Sequence, residues 1–190
     1  MIHSTREQNR SATLRSFSGS LDRRGNSSRD QNQSGRRASP VLDIYVDADG
    51  CPVKPEVYKV ARRYRLNVIL VANSWMRHPP ADWLTMQVVE EQFDGADDWI
   101  VEHATDGDIV IASDIPLADR CLKKGARVLG HRGRPFTQDS IGDALATREL
   151  MSHLREMGSV VVGQAPFNQR DRSRFLQGLD QIVQAVKREI

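Results

Sequence analysis

Two acids stand out for what they follow. In Ile44–Pro52, which reads I-Y-V-D-A-D-G-C-P, the apolar run Val41–Val46 ends in Asp47 and Asp49, and Gly50 and Pro52 then break the strand. Carboxylates just past the carboxyl end of a buried strand stand where open α/β sheets place their ligands. Two acids with no base between them repel each other, and a cation relieves the repulsion. Hard cations such as Mg²⁺ prefer oxygen donors of this kind. One such Asp reads most simply as an Asx turn or a helix cap. The pattern repeats, however: D-I-V-I-A (Asp108–Ala112) runs into Ser113 and Asp114, N-V-I-L-V-A (Asn67–Ala72) runs into Asn73, and Asp97-Asp98 opens a helical stretch. Acids gathered at a sheet edge suit metal-assisted phosphoryl chemistry, in which one or two Mg²⁺ or Mn²⁺ ions orient a water and neutralise charge on phosphate oxygens. Unrelated helix caps are the competing explanation, since Asp is common at helix starts.

The elements that would position these residues alternate. Strands are expected at Leu42–Val46, Asn67–Ala72, Trp83–Val89, Asp108–Ala112 and Ala126–Leu129. Pro55–Tyr64 carries Val57, Val60, Ala61 and Tyr64 at helical spacing. Further helices are expected with Ala96, Ile100, Val101 and Ala104 inward, and after Pro116 with Leu117, Ala118, Cys121 and Leu122 inward. Ile141–Met157 has the stripe Ile141, Ala144, Leu145, Met151 and Leu154, and Ser173–Lys187 has Phe175, Leu176, Leu179, Ile182, Val183 and Val186. Short apolar strands alternating with helices predict a central parallel sheet of about five strands with helices on both faces. Right-handed crossovers then bring every strand's carboxyl end to one edge. Asp47, Asp49, Asn73, Ser113 and Asp114 lie on that edge, within reach of Asp97 and Asp98.

The first forty residues differ from the rest. Residues 1–40 hold eight Arg, three acids and nine Ser without a periodic apolar face, for a net charge of +5 against −3 for residues 41–190. Such a segment cannot bury enough surface to offset chain entropy, and a disordered basic tail is expected ahead of an α/β domain at residues 41–190. The tail fits non-specific nucleic-acid binding, a transit peptide, or upstream sequence with no role; the last is preferred, because the folded pattern starts at Val41 unaided. There is no apolar leader and no run long enough to span a membrane, so a cytoplasmic protein is expected. Cys51 and Cys121 show no metal-type spacing, and the five His are scattered.

Several stretches together resemble the YaiI/YqxD family of uncharacterised bacterial proteins: V-D-A-D-G-C-P-V (Val46–Val53), V-A-N (Val71–Asn73), F-D-G-A-D-D (Phe93–Asp98), G-D-I-V-I-A-S-D-I-P-L-A (Gly107–Ala118), Arg132-Gly133 and Q-R-D-R (Gln169–Arg172). The resemblance covers Val41 to about Lys187. That family usually has Ala where this chain has Gly50. The resemblance implies a PIN-like nuclease fold, with Asp47, Asp97 and Asp114 as its acidic set and Asp49 and Asp119 as further candidate metal ligands. Pro116 stands where flap-nuclease-like relatives place a second acid, which leaves room for a one-metal site or a non-cleaving pocket.

The expected function is a divalent-metal-dependent nuclease or phosphodiesterase acting on RNA. Its counterpart is a non-catalytic nucleic-acid- or nucleotide-binding module using the same pocket. V-D-A-D-G also looks like the first motif of haloacid-dehalogenase-type phosphatases, but Cys51 replaces the usual Thr and the acidic pair Asp97-Asp98 precedes the strand-four motif. A reactive Cys51 near a helix start is disfavoured by its acidic neighbours. Asn73, Ser113, Arg132, Arg170 and Arg172 are candidate substrate contacts. Arg132, Arg134, Arg170, Arg172 and Arg174 could line a phosphate-backbone groove, or Gln169–Arg172 could be a salt-bridged junction that docks the last helix. Few aromatics accompany these arginines, so they do not suggest a stacking platform.

Overall fold

A computed structural model describes residues 42–89, 95–158 and 165–189, so the expected tail lies outside the described residues, as do Phe93 and Asp94. Six strands form one sheet: β1 (Asp43–Asp47), β2 (Asn67–Ala72), β3 (Leu84–Val88), β4 (Ile109–Ile111), β5 (Arg127–Leu129) and β6 (Pro135–Phe136). Five helices accompany them: α1 (Lys54–Tyr64), α2 (Gly95–His103), α3 (Ile115–Lys123), α4 (Gln138–Glu156) and α5 (Gln169–Glu189). The strand order is β3-β2-β1-β4-β5-β6; β1 to β5 run parallel and β6 pairs antiparallel with β5.

Side chains alternate across each strand, and the two sheet faces collect different helices. Ile44, Val46, Val68, Leu70, Ile109 and Ile111 are buried on the side of α1 and α5. Tyr45, Val71, Val110 and Val128 are buried on the side of α2 and α3, joined by Ile141 at the start of α4. Strands covered on both faces read as continuous apolar runs, and N-V-I-L-V-A is such a run. From β1 the chain winds outward through β2 and β3, then returns to lay β4 on the other side of β1. The carboxyl ends of β1 and β4 therefore flank the point where the winding reverses, the place open α/β sheets use for ligands.

Two features depart from the expected layout. β6 was not anticipated; it begins at the end of the basic stretch G-H-R-G-R-P (Gly130–Pro135) and is only two residues long. The stripe expected along α4 is mostly not buried: of its 19 residues only Ile141 is, while Leu150 is 56% and Met151 36% exposed. The helix is secured instead at its start by a capping box, in which Thr137 and Ser140 satisfy each other's backbone N–H groups. β2 and β3 are parallel neighbours joined by no helix, only by the stretch from Asn73 to Trp83, as its Pro-rich sequence leads one to expect.

Helix α5 closes the α1 face. Phe175, Leu179, Val183 and Val186 are buried along it. Tyr64 Oη donates to Asp180 Oδ1 at 2.8 Å, with Arg63 Nη1 at 3.2 Å from the same oxygen. Gly133 permits the close approach of the β5–β6 loop: at φ 74° it sits where a Cβ would come within 2.5 Å of the Arg174 backbone. No helix of the described residues is long and apolar enough to cross a membrane.

Candidate functional site

Asp47 is the last residue of β1 and is half-buried. By strand alternation it points to the side Tyr45 takes, where α2 and α3 pack. Tyr45 holds α2 there: its hydroxyl donates to His103 O at 3.3 Å and its ring lies 6.3 Å from that of Trp99. This docking brings Asp97, in the first turn of α2, toward Asp47. Asp114 follows β4, β1's neighbour, and is the N-cap of α3: its Oδ1 accepts from Leu117 N at 2.9 Å. Asp49 is fixed by Asn73 N, which donates to its Oδ2 at 2.9 Å and ties the β1–α1 loop to the end of β2.

The consequence is electrostatic. The Asp47 carboxyl is pushed up from 3.8 to about 7, first by burial and then by the charges of Asp97, Asp49 and Asp114 in that order; a hydrogen bond from the Asp49 backbone N–H opposes the rise. Asp97, fifty residues away in sequence, weighs more than Asp49, two residues away, so the fold rather than chain proximity makes the cluster. Capping and clustering both hold here: Asp114 caps a helix, Asp47 closes an Asx-type turn, and both belong to one group of acids.

Asp119 takes another course. It pairs with Lys123 Nζ at 2.7 Å along α3 and is not among the charges acting on Asp47. Asp98 is bound by Arg120 at 2.6 Å. Arg148 of α4 reaches toward the cluster, 3.9 Å from Asp114 Oδ2. Among the described residues no group of three or more His, Cys, Asp or Glu side chains is drawn together closely enough to hold a metal ion. The four acids are near enough to feel one another and remain spread apart, as mutual repulsion dictates. Asn73 and Ser113 are exposed on the same rim.

The arginines expected to meet substrate are largely engaged elsewhere. Arg172 Nη1 donates to Pro52 O at 2.9 Å and to both oxygens of buried Glu56 at 3.2 and 3.1 Å, with its guanidinium 5.1 Å over the Phe167 ring. Arg132 donates to Asp171 Oδ2 at 2.9 Å and to Ala165 O. These contacts fasten the start of α5 to α1 and to the β5–β6 loop, which is the docking role weighed above for Gln169–Arg172. Arg170 stays exposed.

Cys51 is buried, and its thiol is pushed up to about 11, by burial first; the backbone N–H of Val53, the charge of Lys54 and the Lys54 N–H pull the other way. It is a protonated thiol at neutral pH and not a nucleophile. Lys54 Nζ donates to Ala48 O at 2.8 Å and so braces the acid-bearing loop. His131, on the β5–β6 loop, is neither a surface nor a satisfied histidine: its Nε2 is buried with no hydrogen-bond partner. Burial, then the Lys54 charge, lowers its pKa from 6.5 to about 4, so the ring is neutral. Nothing in the spacing of the five His marks this one out, because its environment comes from Lys54, far away in sequence.

Fold and site together define a class: an open, mostly parallel α/β protein with carboxylates at the switch point of its sheet. The chain belongs to the YaiI/YqxD family. A family model described as "Uncharacterized BCR, YaiI/YqxD family" matches residues 45–185. The chain is 55% identical over 152 residues to a UPF0178 protein of Rhodospirillum centenum, covering 78% of this chain and 99% of that one. It is 54% identical over 150 residues to a UPF0178 protein of Paramagnetospirillum magneticum, covering 79% and 99%. A UPF0178 protein of Parvibaculum lavamentivorans is 56% identical over 148 residues, covering 78% and 97%. No solved structure matches the chain.

Proposed function

We propose that this chain is a PIN-like, divalent-metal-dependent nuclease or phosphodiesterase that acts on RNA, with Asp47, Asp97 and Asp114 as the acids that serve the reaction and Asp49 beside them. One observation carries the reading: at the switch point of the sheet, burial and then three further carboxylates push the Asp47 carboxyl up to about 7. Strongly perturbed carboxyls in such a place mark functional sites more often than structural ones. The donor set fits a hard cation, being carboxylate oxygen only, with the nearby thiol of Cys51 protonated. Asp47, Asp97 and Asp114 would hold Mg²⁺ or Mn²⁺ by closing in from the spread arrangement in which they stand. Such an ion supplies charge neutralisation at phosphate oxygens and an activated water. The chain's own residues contribute orientation. Asn73 N fixes Asp49, the Leu117 N–H fixes Asp114, and Lys54 braces the loop between Asp47 and Asp49. Without the cation the Asp47 carboxyl is pushed up to about 7, and binding a cation would release its proton.

The test is paired. Millimolar Mn²⁺ should raise the melting temperature of the protein through binding linkage, and a single-stranded RNA should be cut in its presence. Asp47→Asn should abolish both responses while leaving the fold intact. Melting that is indifferent to Mn²⁺, together with intact RNA, defeats the reading.

A second reading has its own support. Asp114 spends one oxygen on its cap, Asp119 is paired with Lys123, and the described acids do not converge into a group of three. These features suit a nucleic-acid- or nucleotide-binding module that does not cleave. Metal-dependent stabilisation and RNA binding without cleavage would establish it.

A further inference from the structure

The geometry points to the Ser74–Asp82 loop as a base-stacking platform, on which Trp75 receives an unpaired nucleobase of a single-stranded RNA whose backbone lies across the acids. The inference rests on the functional reading above and names the form of nucleic acid that the site accepts.

Trp75 is the most exposed of the large apolar side chains described, at 70%. The other two tryptophans show what this chain does with an indole it uses for packing. Trp83 sits edge-on to Tyr58 at 5.9 Å, and Trp99 is stacked on His103 at 3.7 Å. Among the described residues Trp75 makes no such ring contact with the sheet or helices, and its aromatic neighbour there is His78 of the same loop, at 6.4 Å and tilted by 53°. His78 is oriented in turn by a hydrogen bond between its Nδ1 and Pro79 O at 3.2 Å. Two rings of one loop thus stand together at the surface, with the exposed Arg77 between them in sequence.

Position gives this surface its meaning. The loop leaves the carboxyl end of β2, next to β1 in the sheet. Asn73, two residues before Trp75, is bonded through its backbone to Asp49. Two residues of chain span at most about 7 Å, so Trp75 is held to the rim of the acid cluster. Parallel strands are usually joined through a helix. Here the connection is irregular chain, from Asn73 to Trp83. A flat π-face accepts any base and asks only that the base be unstacked, which a single strand satisfies. Arg77 offers a charge for the adjoining phosphate. Arg172 and Arg132 are spent on Glu56, Asp171 and the Phe167 ring; the Trp75 ring of this loop remains exposed.

The experiment is a titration of the full chain with a short single-stranded RNA, read by tryptophan fluorescence and by anisotropy of a labelled RNA, each with and without Mn²⁺. Binding should quench tryptophan emission. Trp75→Ala should weaken binding about tenfold, abolish the quench and leave the melting temperature unchanged, while Trp75→Phe retains part of the affinity. Arg77→Ala should make the salt dependence of binding shallower. A blunt RNA duplex of the same sequence should bind more weakly than the single strand. The proposal is overturned if the wild type binds no single strand, if Trp75→Ala binds as well as wild type, or if the duplex binds equally well. Its failure is distinguishable from failure of the functional reading. Mn²⁺-dependent cleavage that survives Trp75→Ala with unchanged KM removes the platform and keeps the nuclease. Quenching without any Mn²⁺ response keeps the platform and removes the metal chemistry.

Discussion

Asp47 sets the behaviour of the molecule toward protons. In chelator, where no divalent ion offsets the repulsion, its carboxyl pKa of about 7 lies above the 3.8 of an unperturbed Asp. The folded state therefore binds more protons than the unfolded one between about pH 4 and 7, and stability falls as pH rises through that window. His131 acts oppositely: its pKa of about 4 lies below 6.5, so stability falls as pH drops from 6.5 toward 4. The two slopes oppose each other in wild type. In Asp47→Asn the histidine slope is no longer offset by Asp47, so that variant should gain stability relative to wild type as pH rises from 4 to 6.5. At pH 8 in chelator it should exceed wild type by on the order of a few kcal/mol. Urea melts of both proteins across pH 4–8 measure this directly; coincident pH profiles would contradict it. Arg172 makes a contrasting case. Arg172→Ala leaves Glu56, 6% exposed, without its partner, and should cost about 3 kcal/mol of stability. The salt dependence of RNA binding should stay unchanged, since this guanidinium is spent on Pro52 and Glu56.

At the scale of elements, the sequence was most legible where burial is uniform. β2 occupies Asn67–Ala72, the expected range, because a strand covered on both faces must be apolar throughout. β6 was illegible because two residues of antiparallel pairing leave no period to read. Helix α4 was legible as a helix but not as an exposed one; periodicity reports a face and not what covers it. Among site residues, Asp47 and Asp114 could be read from strand ends. For Arg172 the docking role was one of two readings, and Arg132 was read only as a phosphate or substrate contact; their partners lie 116 and 39 residues away and come together only in the fold. Close approach of elements also turns on Gly133. Gly133→Ala would drive a methyl to within 2.5 Å of the Arg174 backbone at a positive φ, and should destabilise by about 2–4 kcal/mol. Gly50, also at positive φ but with open space around it, should lose only about 1 kcal/mol as Ala. Thermal melts of the two variants side by side test the difference.

For the whole molecule, the composition break near Val41 carries a prediction of its own. A chain beginning at Val41 should melt with the full-length protein, because the buried apolar positions of the α/β core begin at Leu42; a markedly lower melting temperature would show that the basic segment contributes to the fold. The far end of the chain matters more. Ile109, Ile111 and Leu129 share one apolar cluster with Phe175, Leu179 and Val183 of α5. During synthesis all of the strands leave the ribosome before the helix that shields this face. Until residues 169–189 emerge, the nascent sheet carries a bare apolar surface, and such surfaces recruit chaperones or one another. A ribosome stalled ahead of α5 should therefore hold a sticky, protease-sensitive intermediate, and release of the last helix should convert it into a resistant one.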